Sequence, residues 1–594
     1  MKKFVAICAT ALLLSPLALH AETGTADLQL KLDQMSKELS EVSKRLDATE
    51  KHTATDRIQF TGDMRTKADT LHYQEMTWNP AIGVDFFDFF GKVMNQDLGA
   101  INPGTFDPTA PNTSSPIQVM FANLNKNNPA LFGQLMTNFN NWAIGGMPPG
   151  GNPAGVGPFP LLNTAQKTDD INNDIAYTTR LRLNMKADVA ENVDFAGRLS
   201  MYKNWGDSAG VKVFDSWNAF TMDGTDGGST SGDFLRVDRA YFDWKNIGGS
   251  NLYLSIGRRP STYGPPTQYR ENEMRGGTPS GHLVNFNFDG ITAGYKLGEI
   301  TGIEGQVVRF CYGQGFESQV GNGELYGNTA TKDTHLGGFN VDVINDGTNF
   351  VQLTAFEALN VVDGFKGTFA FPTELAAIFA PTMYQDMQKF PTFNFVTRYQ
   401  PSTVIGNMKL AGIGLGREEE NGLNYFTSFG WTRLEPNGKA GMFGGMGSDA
   451  VFEAQLNSDG SQVIMMPSRA ENDKNHDGYG IYAGVQIPAP AGKVGLEYNY
   501  GSKYWTPFTQ SQDDMLGSKL ATRGHVGEAY YIIDINPNMF IKVGGLYYDY
   551  VYTGSGSPVG APQKINDVMT GKAYSLLPVA DSAWDGYASL TVKF

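Results

Sequence analysis

The residue types that do chemistry are present in this sequence, but their spacing favours none of the familiar reactions. Seven histidines are scattered along the chain. There is no Gly-x-Ser-x-Gly, His-Glu-x-x-His, Cys-x-x-Cys or haem-attachment motif, so we expect no enzyme. Asp473, Asn475 and Asp477, followed by Gly478, repeat the first half of a calcium loop, with oxygen ligands at alternate positions and a glycine for the turn. The twelfth position is Gly484 where an EF-hand has glutamate. The segment is therefore a candidate structural calcium site completed from elsewhere, or an ordinary turn entering a strand. Asp170, Asn172 and Asp174 share the spacing but lack the glycine. No other cofactor is expected. The remaining charged candidates recur at every second residue within otherwise apolar runs: Arg180, Arg182, Lys186, Arg198, Arg239, Arg259 and Arg309, with Asp188, Asp194 and Asp243 in the same phase.

That period of two requires β-strands. In Thr179–Val189, Leu181, Leu183, Met185, Ala187 and Val189 alternate with the charged set, and Val193–Tyr202 continues the pattern after a turn at Ala190–Asn192. Arg239–Trp244 and Leu252–Pro260 form a second hairpin, and Ile58–Lys67 reads as the first strand. At the other end, Ala588, Leu590, Val592 and Phe594 face one way and Tyr587, Ser589, Thr591 and Lys593 the other. Strands of about ten residues with one apolar and one charged face match what a tilted strand needs to cross a bilayer. Further candidates are 284–296, 305–313, 335–344, 349–359, 393–399, 407–415, 424–433, 441–455, 478–487, 493–501, 524–534, 539–550 and 584–594, about 18 in all, with 16 as the alternative because 390–455 is poorly patterned. Short connections with turn residues (190–192, 245–250, 345–348, 536–538) interleave with long ones, the asymmetry of a transmembrane barrel. The expected fold is all-β: a transmembrane antiparallel β-barrel with a short N-terminal coiled-coil helix.

Composition agrees. The chain has 594 residues, 70 of them glycine, and 12% aromatics. A single soluble core rarely exceeds ~250–300 residues, a limit that a hollow barrel escapes. Residues 1–21 resemble a signal peptide, with Lys2 and Lys3 before an apolar stretch and Ala21 at the cleavage position. Without them the chain carries 44 basic and 61 acidic residues, a net charge of −17, and one cysteine, Cys311. The acidic balance argues against a nucleic-acid partner, and one thiol makes no internal disulfide. In 22–55, Leu28, Leu32, Met35, Leu39, Val42 and Leu46 step by four and three, the seam of a coiled coil, expected to hold parallel copies together in the periplasm. Residues 56–594 would be the barrel, with 68–170 a long outer loop or lumen insertion and a helical piece at 117–142. Trp205, Trp244, Trp431, Trp505, Tyr547, Tyr548 and Trp584 suit interfacial belts or loop cores.

The hairpin Arg239-Ala-Tyr-Phe-Asp-Trp244 to Leu252-Tyr-Leu-Ser-Ile-Gly-Arg258 resembles one that porins carry. With the leader, the coiled-coil seam, Phe60-Thr-Gly-Asp-Met-Arg65 and Phe594, the chain resembles a family of porin-like outer-membrane channel proteins of anaerobic Proteobacteria. The 68–170 insertion does not match the general trimeric porins. The resemblance implies location in the cell outer membrane among lipid and lipopolysaccharide, a homotrimer, and passive diffusion of small hydrophilic solutes. Phe594 would end the closing strand. Charges on the polar phase would set up a transverse field across the pore, or would be wall charges paired among themselves. The alternatives are an envelope structural or adhesion barrel that binds a partner through its long loops, and a sheath for a redox carrier.

Overall fold

The computed structural model describes residues 34–44, 58–85, 88, 156–160, 164–206, 235–261, 281–285, 287–318, 332–364, 367–371, 395–399, 403–456, 463–509 and 515–594. The leader at 1–21, most of the 68–170 insertion and the 117–142 piece lie outside these residues. The chain divides into two units at Gln59/Phe60. In the first, residues 34–44 form a helix that is exposed along its whole length. Three seam residues, Met35, Leu39 and Val42, are 60–73% exposed.

The second unit closes a sixteen-stranded antiparallel barrel among the described residues. Its strands are β1 Ile58–Gln74, β2 Ile171–Ala190, β3 Val193–Asn204, β4 Arg236–Trp244, β5 Leu252–Pro260, β6 Asn287–Lys296, β7 Val307–Phe316, β8 Thr334–Asn345, β9 Asn349–Val362, β10 Val404–Glu418, β11 Asn424–Pro436, β12 His476–Ala489, β13 Gly492–Gly501, β14 Gly524–Asn536, β15 Met539–Tyr550 and β16 Ser582–Lys593. The count is the sixteen held as the alternative, and two expected strands are corrected. Residues 395–399 pair only with 367–371. Residues 450–456 pair with 463–470 and with 81–85, in a four-stranded sheet apart from the barrel. Both segments are β-prone but lack about ten residues of sustained alternation, and seven residues or fewer do not cross a bilayer as a strand.

Each hairpin turn within β2–β15 is short, at 191–192, 245–251, 297–306, 346–348, 419–423, 490–491 and 537–538, while the intervening connections are long. Asn192 takes a left-handed φ of 63°, a conformation asparagine tolerates better than most residues. Closure is made by β1 and β16, in register from Asp63↔Lys593 to Gln74↔Ser582. Phe594 N–H donates to Gly62 O at 2.9 Å, and Gly62 N–H donates to Phe594 O at 2.6 Å. A Cβ on Gly62 would stand 2.6 Å from the Phe594 ring and 2.7 Å from Arg182 O.

Along β16 burial alternates in the sense opposite to a soluble protein, whereas the inward phase is apolar elsewhere, as at Met408 and Leu410 of β10. On β16, Asp585, Tyr587, Ser589 and Thr591 are buried, and Trp584, Leu590 and Val592 are exposed. The polar phase points inward and the apolar phase outward, as lipid requires.

Candidate functional site: the barrel interior

All ten residues expected on the charged face fall in the inward phase, because the register carries that phase from strand to strand. Arg180 and Arg182 on β2 both hold Asp63 of β1, at 3.0 and 2.7 Å. Arg198 on β3 donates to Asn184 Oδ1 at 2.7 Å and stands 3.6 Å from Asp238. Asp238 reaches it because β4 carries a bulge opposite Arg198 and Leu199; the extra residue turns a second polar side chain inward. Arg239 lies directly across from Arg198. Arg309 on β7 donates to Asp342 (2.7 Å), Asn340 (3.0 Å) and Tyr253 Oη (3.0 Å). Arg259 on β5 lies over the Phe288 ring at 6.0 Å. Asp188, Asp194 and Asp243 form one row across β2, β3 and β4 at the short-turn end, where Lys245 pairs with Asp194; Lys186 lies exposed near them.

A second charged network, absent from the sequence expectations, runs across β13–β16 and β1. Glu497 (β13) and Glu528 (β14) are direct cross-strand partners, an unfavourable pair of like charges. Lys519, from the connection between β13 and β14, enters between them and bonds to both. Lys542 Nζ is 3.4 Å from Glu528, and Tyr587 donates to Glu528 Oε1 at 2.6 Å. Lys67 pairs with Asp69 and lies 3.8 Å from Asp585. Strand phase alone could have supplied the two glutamates. Lys519 could not have been found that way, since it sits in a loop.

Two connections fold into the barrel. Val284–Asn285 and Phe508–Thr509 pair as a parallel two-stranded sheet. Leu283 and Trp505 then pack on inward glycines: a Cβ on Gly412 would lie 2.5 Å from Leu283, and one on Gly430, Gly480 or Gly501 would lie 2.3 to 2.6 Å from the Trp505 ring. Trp505 donates its indole N–H to Leu520 O at 2.8 Å. Arg523, fully buried, bonds to Trp505 O, Thr553 O, Thr506 Oγ1 and Ser557 O; burial without a carboxylate in this set lowers its pKa to about 9. Of the residues expected in interfacial belts, Trp205, Trp244, Tyr547 and Trp584 face outward and exposed. Trp505 and Tyr548 are instead interior, at 0 and 1% exposure, because a loop tryptophan has no strand phase to fix its side and Tyr548 occupies the inward phase of β15.

The calcium-like segment is opened out. Asp473 and Asn475 are exposed before β12. Asp477 is already within that strand, bound by Trp431 Nε1–H at 3.0 Å and Arg433 at 3.3 Å. Among the described residues no three His, Cys, Asp or Glu side chains gather closely enough to share an ion.

A sequence-family model described as "Protein of unknown function (DUF3373)" matches residues 170–594. No curated protein matches the chain by sequence. Similar solved structures include the trimer form of OmpT, an outer membrane protein of Vibrio cholerae, with 10% identity and a TM-score of 0.36 over 90% of this chain and 99% of that one. OprB of Pseudomonas putida has 8% identity and a TM-score of 0.37 over 92% and 97%. OmpF of Salmonella typhi in complex with daunomycin has 10% and 0.33 over 72% and 93%.

Proposed function

Since the chain belongs to the family described as a protein of unknown function, DUF3373, we propose its role from its own geometry: an outer-membrane channel for passive diffusion of small hydrophilic solutes. The observation that carries this reading is the closed barrel with exposed apolar residues outside and charged residues inside. A closed sheet leaves no backbone group unpaired in hydrocarbon. Charged side chains facing inward offer a solute partners in place of lost water. The loops that carry Leu283 and Trp505 fold against β10–β13 and narrow the path there. Solutes would pass arginines on β2–β4 and glutamates with lysines on β13–β15, in a field that favours small ions and zwitterions over apolar molecules. The seam at Met35, Leu39 and Val42, exposed in one chain, supports a homotrimer joined by a periplasmic coiled coil. The acidic loops would lie among lipopolysaccharide.

Single-channel recording in planar bilayers with solutes of graded size and charge tests this reading. Stepwise conductance that falls as solute size grows is the expected result; a silent bilayer overturns it. The infolded loops favour one alternative, a structural or adhesion barrel closed to solutes, and that same silence would support it. Within the channel reading, replacing Arg180, Arg182 and Arg198 by Gln removes three inward cations. The reversal potential in a salt gradient should shift toward cation selectivity, and an unchanged potential removes these arginines from the selectivity argument.

A further inference from the structure

The inward charges of β2–β4 are sorted by sign along the barrel axis. At the short-turn end, the periplasmic end in barrels of this kind, Asp188, Asp194 and Asp243 form one row across the three strands. Lys186 and Lys245 are the basic residues beside them. The turns extend the acidic balance. The seven short turns, each taken with two residues on either side, hold nine acidic and four basic residues, so this mouth is negative as a whole. Every one of these turns lies among the described residues.

Further along the same strands the sign reverses. Arg182 lies six residues from Asp188 on β2, Arg198 four from Asp194 on β3, and Arg239 four from Asp243 on β4. Asp63 takes Arg180 and Arg182, and Asp238 takes Arg198. Four arginines thus stand with two carboxylates, and the belt keeps a positive balance. At a rise of about 3.3 Å per residue, the acidic row and the belt are about 13–20 Å apart along the strands. That exceeds the screening length of about 10 Å in 0.1 M salt and far exceeds the ~3 Å in 1 M salt. In dilute salt the two zones therefore act as separate fields, one concentrating cations and the other anions.

We propose that the lumen rectifies ionic current, because a cation-attracting acidic mouth and an anion-attracting arginine belt stand in series along its axis. With the short-turn side positive, cations enter through the mouth and anions enter past the arginines. Both accumulate between the zones, and the path conducts well. With the polarity reversed, both are drawn out of that stretch and the current falls. Asp188, Asp194 and Asp243 are then a second specificity-determining set, acting in series with the arginines. Rectification rests on the channel reading, yet the two fail differently. A silent bilayer removes both, whereas a conducting barrel with a symmetric current removes rectification alone.

The test is the current through single full-length barrels in planar bilayers at equal and opposite voltages, in symmetric KCl at about 0.1 M and about 1 M. Streptavidin bound to a biotin on Ile300→Cys, a turn position 68% exposed, marks the short-turn side of each barrel. Current with that side positive should exceed the reverse current roughly twofold in the dilute salt, and the ratio should fall toward one in the concentrated salt, where both fields are screened. Replacing Asp188, Asp194 and Asp243 together by Asn should bring the dilute-salt ratio down toward one, while the barrel still conducts and keeps its heat-modifiable mobility. Arg182→Gln with Arg239→Gln should lower the ratio from the other zone. A symmetric current in dilute salt, or a larger current with the short-turn side negative, would overturn the proposal. So would a ratio that persists in concentrated salt or in the triple Asn variant, since pore shape and not charge would then be its source.

Discussion

At the scale of single residues, the interior is held by charges that depend on partners from other strands or loops. Lys519 is the clearest case, since it separates two glutamates that the register sets face to face. Lys519→Met would leave Glu497 and Glu528 buried without that cation. Breaking a buried pair from one side costs about 3–5 kcal/mol, so the 515–523 segment should detach and proteases should cut it. Adding Glu497→Gln should restore much of the protection. If the single variant resists proteolysis as the wild type does, Lys519 is not what docks the loop. Asp449, in the connection between β11 and β12, makes a pH-dependent contact. Burial raises its carboxyl to about 6, the Ala561 N–H and Gln563 oppose that shift, and Glu471 adds to it. A carboxyl raised in the folded state contributes stability present at low pH and lost as pH rises through its folded value. The 551–581 connection, which reaches Asp449 through Ala561 N–H at 2.9 Å, should therefore be more protease-sensitive at pH 8 than at pH 5. Asp449→Asn should flatten the difference, and a pH dependence that survives this substitution would exclude Asp449 as its source.

At the scale of elements, strands and infolded loops obey different rules. A strand announces itself by alternation, and sixteen of the expected segments lie in the barrel. The two that do not were carried by β-propensity without length. The loop at 502–509 carries no such pattern, yet its Trp505 fills a pit made by glycines on three adjacent strands. Trp505→Ala should remove about 3–5 kcal/mol of packing from this loop. The expected result is faster cleavage within 502–523 and, if the barrel conducts, a larger unit conductance. Unchanged cleavage would mean that the loop is anchored chiefly by Arg523 and Lys519.

At the scale of the whole molecule, closure is the decisive event, because β1 and β16 lie more than 500 residues apart in sequence. Gly62 is where they approach most closely in the last pair, beneath the Phe594 ring. Gly62→Val would drive a side chain into the ring and into Arg182 O. The folded fraction in semi-native electrophoresis should fall and its melting temperature drop. A variant with wild-type heat modifiability would show that the Phe594 ring swings aside at no cost.

The sequence by itself determined the strands, their inward and outward faces, the alternation of short and long connections, and hence a barrel. These are local consequences of a period of two, which a chain cannot follow without sorting its side chains to two sides. It also put the ten candidate charges, from Arg180 to Asp243, on one phase of their strands. Tertiary structure alone decided which charges meet. Asp63 binds Arg180 and Arg182 only because β1 and β2, far apart across the 68–170 insertion, lie side by side in the barrel. Lys519 and Trp505 enter the interior only because their loops fold back. Such pairings depend on register and loop path across hundreds of residues, and no local pattern encodes them.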